Sequence, residues 1–427
     1  MSNANPEVLD HTGFKQQLSD WKKLLPVFLA ASYLLLLPFA RMAEVPLVLL
    51  ALSSPWLLWQ QRGQQYWPKL MPVTVLFLAF WLPMLASSFD SYTSEKSWIQ
   101  TIAAIRFLAA AISLQLLLRT SQQHRQLLLL LGGFIGFWII DVLIQVVTGI
   151  NLLGFTANTQ RLGGIFGDDI WFFGPTLAML SPLLLEWAWQ RQNKAWLSGF
   201  LIVLSLAVLL AGMRAGWLLL PIITSIYVWR FIRLHGRKTF RLLSICAFIS
   251  AVLALVAVQQ SEIVQQRLAQ TQQILQGGEA AAQFALSERM GIWKTSWRML
   301  KKHPFNGAGV RAFPVAYSTF SDPDDPQLLK GDTNRGSRHP HNLWLEAITD
   351  CGLIGFIGLG IFSLYLLIYY FKAPISKRVL AFPFLFCLVL ILFPLNSHFS
   401  LYGTFLSSTI WWLVGLFLSA LHVSEHH

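Results

Sequence analysis

The sequence predicts an all-α integral membrane protein of about twelve transmembrane helices, with one long helical loop outside the bilayer. Three observations carry this. Hydrophobic residues make up 55% of the 427 and charged residues 12%, with a mean hydropathy of +0.54. A soluble domain carries about 25% charge. The apolar residues gather into runs of spanning length. One polar stretch alone, residues 259–341, interrupts them for long. Backbone groups in lipid must be satisfied within the segment, so the spans are helices.

In chain order the predicted spans are 24–40, 45–60, 70–88, 101–118, 126–148, 170–188, 195–212, 215–232, 240–258, 352–371, 378–396 and 403–422. The chain thus divides into three: residues 1–258 with the first nine spans, the long loop 259–341, and residues 342–427 with the last three. No segment repeats at a period typical of solenoids, and no inverted repeat is visible. Residues 1–23 are polar, and the first apolar run has no small-residue cleavage site, so no cleavable signal peptide is expected. Cys246, Cys351 and Cys387 have unrelated spacings that build no disulfide framework or metal site. They read as small buried hydrophobes.

The net charge of +12 is a topology signal rather than a nucleic-acid footprint. With the N-terminus in the cytoplasm, 17 of the 32 lysines and arginines fall in cytoplasmic segments and four in short outer loops. Both termini are then cytoplasmic. The long loop lies outside, which in a Gram-negative cell is the periplasm. Two of the four outer-loop residues, Arg161 and Arg214, work against this orientation. A ligand, or pairing with a carboxylate such as Asp168 or Asp169, explains them better. Arg106 and Asp141 lie inside the fourth and fifth spans, about 10 Å below the outer surface. Intramembrane charges are usually paired, so these two are expected to face each other.

The loop has an expected polar helix over 259–276 and a second over about 286–302, with Ser287 as a possible N-cap. Trp293, Trp297 and Leu300 share one face of the second helix, and Arg289 lies one turn before Trp293. His303-Pro304 stops it. No strand precedes Gly307-Ala308-Gly309, which excludes a dinucleotide fingerprint. The acidic run Ser321–Asp325 reads as an exposed turn, with divalent-metal binding through Asp322, Asp324 and Asp325 as the alternative.

Arg161, Arg214, Arg289, His339 and His341 can converge at the outer membrane face. Arginine presents a planar fork matched to phosphate oxygens. Histidine accepts a proton near neutral pH. Together they suit group transfer from a lipid-linked phosphate or diphosphate: arginines hold the leaving diphosphate, and a histidine deprotonates an attacking hydroxyl. The plainer alternative is that the histidines are hydrogen-bonded interfacial residues.

The pattern Arg289…Trp293…Trp297…His303-Pro304…Gly307-Ala308-Gly309, then His339-Pro340-His341-Asn342-Leu343-Trp344-Leu345 and Gly352-Leu353-Ile354-Gly355, resembles the O-antigen ligase/polymerase superfamily. Arg214-Ala215-Gly216 resembles its Ser-Arg-Gly turn, with Met213 in place of the usual serine. Arg161…Gly164-Ile165-Phe166-Gly167 resembles its Arg-x-x-Gly-x-Phe-Gly loop. Length and the single long loop are most similar to the O-antigen ligases. The resemblance implies a GT-C-type membrane glycosyltransferase of the inner membrane, active on the periplasmic side. It would move O-antigen from undecaprenyl diphosphate to a sugar hydroxyl of lipid A–core. Neither metal nor cofactor is implied. His341 would be the base, and Arg214, Arg289 and Arg161 would bind diphosphate. His339, Asn342 and Trp293 would support them. An O-antigen polymerase or a protein O-oligosaccharyltransferase would share the donor chemistry. A polyprenyl-lipid transporter is the reading from another class, and it would want charges through the inner half of the membrane as well.

Overall fold

The computed structural model describes residues 11–62, 67–157, 161–167, 170–190, 194–235, 289–329, 337–396 and 399–423. The expected span 240–258, the expected helix 259–276, Ser287, Asp168 and Asp169 lie outside the described residues. Within them the chain is helical, in this order: α1 (His11–Leu36), α2 (Glu44–Gln60), α3 (Trp67–Ser88), α4 (Ser94–Ala103), α5 (Ile105–Leu117), α6 (Ser121–Thr148), α7 (Ile170–Leu180), α8 (Pro182–Gln190), α9 (Lys194–Leu210), α10 (Arg214–His235), α11 (Arg289–Lys302), α12 (Phe313–Phe320), α13 (Pro326–Leu329), α14 (Leu343–Lys372), α15 (Ile375–Ile391) and α16 (Thr404–Leu421). Short 3-10 turns at Leu37–Ala43 and Gly164–Phe166 join some of them.

Among the described residues, seven helical stretches are long and apolar enough to cross a membrane. They include Trp67–Ser88, Ser121–Thr148, Leu343–Lys372 and Thr404–Leu421. Leu24–Phe39 and Trp196–Leu210 are shorter apolar helices. The expected span 170–188 is divided between α7 and α8, which part at Ser181 before Pro182. Proline lacks the N–H that would continue the ladder and crowds the preceding turn.

α16 is the hub. Every residue from Leu406 to Leu421 is buried, against helices α3, α5 and α15. Trp411 meets Phe77, Phe80 and Phe362 with ring centroids 5.5, 5.8 and 5.8 Å away. In lipid there is no hydrophobic drive between helices, so close packing of this kind holds them. Gly358 of α14 packs so closely on α3 that a Cβ there would sit 2.3 Å from the Ala79 carbonyl oxygen.

The expected Arg106–Asp141 pair does not form. Arg106 Nη2 lies 3.0 Å from Glu44 Oε2, and the Ser408 hydroxyl donates to the other Glu44 oxygen. Asp141 Oδ1 instead accepts the Leu152 N–H at 2.9 Å. Matched depth made the two look like partners. Glu44, at the first residue of α2, is nearer to Arg106, and the loop after α6 folds back to claim Asp141.

Candidate active site

The site is built on a helix that breaks. α14 carries a non-helical residue, Gly352, at φ +66° and ψ −162°. A break in a membrane helix exposes backbone groups that lipid cannot satisfy. The loop after α11 supplies the partners. Ala308 and Gly309 donate to the Thr349 and Asp350 carbonyls at 2.9 and 3.0 Å. Leu353 and Ile354 donate to the Pro304 and Phe305 carbonyls at 2.8 and 3.2 Å. The contact leaves no room for a Cβ. One at Gly307 would lie 2.4 Å from the Asp350 carbonyl carbon, and one at Gly352 would lie 2.2 Å from that of Phe305. The Gly307-Ala308-Gly309 and Gly352 motifs, taken in the sequence as family marks, are therefore the two halves of one backbone joint. That joint fixes where the first turns of α14 point.

Those first turns start at the histidines. His341 has φ +55°, a conformation uncommon outside glycine and worth noting where function is suspected. The His339 and His341 rings stand side by side, with centroids 4.2 Å apart. Asn342 caps α14: its side chain accepts the Leu345 N–H at 3.0 Å and donates to the Pro394 carbonyl at 2.7 Å. Its observed work is structural. Trp344 Nε1 donates to the Leu392 carbonyl at 2.9 Å. The turn after α15 thus pins the start of α14.

α11 runs from Arg289 and ends at Lys302, before His303-Pro304 as the sequence predicted. Trp297 on it is exposed, whereas Trp293 is half-buried. Trp293 Nε1 donates to the Pro340 carbonyl at 3.2 Å, so α11 is tied directly to the peptide between the two histidines. Arg289 lies one helical turn earlier, about 6 Å along the axis. Burial, together with the Arg214 guanidinium, holds the Arg289 pKa below its usual value. Repulsion of this kind places the two cations near each other. Arg289, on the helix tied to the His339–His341 turn, and Arg214, at the start of α10, therefore lie within electrostatic reach of each other.

Arg214 is the first residue of α10, after a tight turn with Gly212 at φ +71°. Met213 is buried and packs by Gly174 of α7. Where the resemblance expects a serine hydroxyl, this chain has apolar packing. Arg161 opens the loop that leads into α7. Asp141 and Gln145 of α6 shape that loop. Gln145 Oε1 accepts the Gly164 N–H at 2.9 Å, and Asn151 Nδ2 donates to the Gly164 carbonyl at 2.6 Å. Arg161 thus sits on the loop preceding the helix against which the Arg214 turn packs.

Sequence reasoning missed Glu346, Asp350 and Arg311 here. Glu346, one turn into α14 and buried, accepts from the Ser400 hydroxyl and from the Leu401 N–H, the latter at 2.7 Å. Arg311, at φ +62°, donates its N–H to Asp350 Oδ2 at 2.9 Å and Nη1 to Ser400 Oγ at 3.0 Å. Glu346 and Asp350 sit at i and i+4, a visible signal of one shared helix face. The acidic turn is committed to protein partners. Asp322 meets Arg298 at 2.7 Å and Lys294 at 3.0 Å, and Asp325 accepts from the Tyr317 hydroxyl at 2.8 Å. Those two guanidinium and ammonium contacts hold the Asp322 carboxyl below its usual range.

Fold and site together define a multi-pass membrane protein with two arginines in electrostatic reach of each other and a turn that sets two histidine rings side by side. Residues 199–360 match the O-antigen ligase family. Arg214, Arg289, Trp293, His339, His341 and Asn342 all fall inside the matched stretch, and Arg161 falls before it. An uncharacterized protein of Haemophilus influenzae (strain ATCC 51907 / DSM 11121 / KW20 / Rd) is 27% identical over 190 residues, 43% of this chain and 45% of that relative. The match thus spans less than half of the relative's length.

Proposed function

We propose that the chain is an O-antigen ligase of GT-C type, with about twelve spans, in the inner membrane of a Gram-negative cell. It transfers O-antigen polysaccharide from undecaprenyl diphosphate to a sugar hydroxyl of lipid A–core on the periplasmic face. The observation that carries this reading is the approach of Arg214 to Arg289 beside the His339–His341 turn. Two guanidiniums that repel each other gain most from an anion with several oxygens placed between them, and a diphosphate has that shape and charge.

In this reading Arg214 and Arg289 bind the diphosphate, with Arg161 at its margin, and stabilise the charge that develops as the sugar–phosphate bond breaks. His341 removes the proton from the acceptor hydroxyl as that oxygen attacks the anomeric carbon from the opposite side. The anomeric centre inverts, and the proton ends on the imidazole. His339 packs on His341 and fixes its ring, Asn342 caps the helix that presents it, and Trp293 holds the turn. The family model supports the superfamily. The choice of lipid A–core as acceptor rests on the resemblance to the O-antigen ligases.

The test is transfer from purified undecaprenyl-diphosphate glycan to lipid A–core with EDTA present. Wild type should form product. His341→Ala and Arg214→Ala should each lose at least about 10²-fold. Lengthening of the lipid-linked glycan, with lipid A–core untouched, would make the protein a polymerase. Full activity in His341→Ala would remove its role as base.

A further inference from the structure

A cavity of about 590 Å³ lies at the far end of the bundle from His341. Three of the helices that line it place it there. Ser121 opens α6, whose other end carries Asp141 and Gln145 beneath the Arg161 loop. Ser376 and Lys377 open α15, whose other end leads to the turn that holds Trp344 and Asn342. Val423 follows α16, whose start adjoins the Glu346 contacts. α15 alone has 17 residues, a separation of about 25 Å at 1.5 Å per residue. The cavity is distinct from the proposed transfer site.

Its lining is divided. Arg125 and Lys377 supply positive charge, and Ser121 and Ser376 supply hydroxyls in the first turns of two helices. Trp189 and Leu380 form an apolar wall beside them. Among the described residues no carboxylate lines it. A soluble anion would use the cations and hydroxyls and leave the wall unused. A lipid uses both: the headgroup phosphate meets the cations, and the first acyl carbons meet the wall. Basic pockets between membrane helices recognise anionic headgroups in this way.

We propose that this cavity is a binding site for an anionic phospholipid headgroup. Arg125 and Lys377 take the phosphate, Ser121 and Ser376 donate hydrogen bonds to it, and Trp189 and Leu380 pack against the upper acyl chain.

Native mass spectrometry of the purified full chain tests this, with phosphatidylglycerol, phosphatidylethanolamine and inorganic phosphate as probes. Phosphatidylglycerol should bind specifically and more tightly than phosphatidylethanolamine, and inorganic phosphate should not displace it. The double variant Arg125→Gln/Lys377→Gln should bind phosphatidylglycerol about 30-fold more weakly. The same charge change at the exposed Lys301 and Lys302 should leave binding unaltered. Leu380→Trp, which fills the wall and keeps both cations, should also weaken binding. Equal affinity for the two lipids, unchanged binding in the double variant, or an equal loss in the Lys301/Lys302 control would overturn the proposal. Displacement by inorganic phosphate would make the cavity a site for a soluble anion instead.

Discussion

Two arginine sites in this molecule are built in opposite ways. Arg230 of α10 meets a carboxylate: Nη1 and Nη2 lie 2.7 and 3.3 Å from the two oxygens of the fully buried Glu186. Its guanidinium also stacks on Trp189 and Phe382, 4.4 and 4.0 Å from the ring centroids. At the start of the same helix, Arg214 approaches another cation, Arg289. The Arg230 pair is neutral and serves packing. A site that sets two guanidiniums near each other bears a cost in the folded protein that a bound anion relieves. The contrast separates an arginine that serves stability from one that, in the proposed function, serves a ligand.

The sharpest way to break this comparison is to swap readouts. Arg230→Leu leaves Glu186 buried beside apolar groups and should destabilise the protein by about 3–5 kcal/mol. Thermal unfolding in detergent checks this, and Glu186→Leu added to it should restore much of the loss. Arg214→Ala or Arg289→Ala should change the unfolding temperature less than Arg230→Leu does. Each should instead lower transfer by about 10²–10³-fold. If both kinds of variant lost stability alike, the distinction would collapse.

A smaller effect sharpens the comparison at Trp293. Trp293→Phe keeps the ring and deletes the hydrogen bond to Pro340. One neutral hydrogen bond is worth about 1 kcal/mol, so transfer should fall about fivefold while diphosphate binding through Arg214 and Arg289 holds. Rates and binding measured on the same preparation decide it.

The smallest expected effect lies at the end of the bundle opposite the site. Burial, with Lys69 and Lys377 nearby, pushes the His422 pKa down to about 4. The folded value is below the unfolded one, so the unfolded chain takes up the proton first. Stability from this group is full above about pH 6.5 and declines as pH falls toward about 4. His422→Gln should flatten the dependence of the unfolding temperature over that window.

Much of this was legible in the sequence because apolar runs report membrane helices whatever their packing. α3, α6 and α16 lie where those runs put them, whereas α14 starts at Leu343, ahead of the expected span 352–371. The end of α11 at His303-Pro304 was legible for a similar reason, because proline chemistry is local. Arg214 stood out because an arginine in a short outer loop is anomalous, and Arg289 was singled out through the family resemblance. What was hidden depends on contacts between distant segments. α14 reads as one continuous apolar helix, and only the loop 304–309 lying on it shows why Gly352 breaks it. Arg106 found Glu44 rather than Asp141 because depth in the membrane says nothing about rotation around a helix. Asn342 was expected to support the histidines, and how it does so, as the cap of α14 held to the Pro394 carbonyl, shows only in the structure.

In the proposed function the arginines hold the diphosphate and His341 acts on the acceptor. The most direct measurement is binding of undecaprenyl diphosphate to the purified protein, set against transfer, in Arg214→Ala, Arg289→Ala and His341→Ala. Both arginine variants should lose binding and transfer together, while His341→Ala should bind the lipid like wild type and fail to transfer. Wild-type binding in both arginine variants, or lost binding in His341→Ala alone, would contradict it.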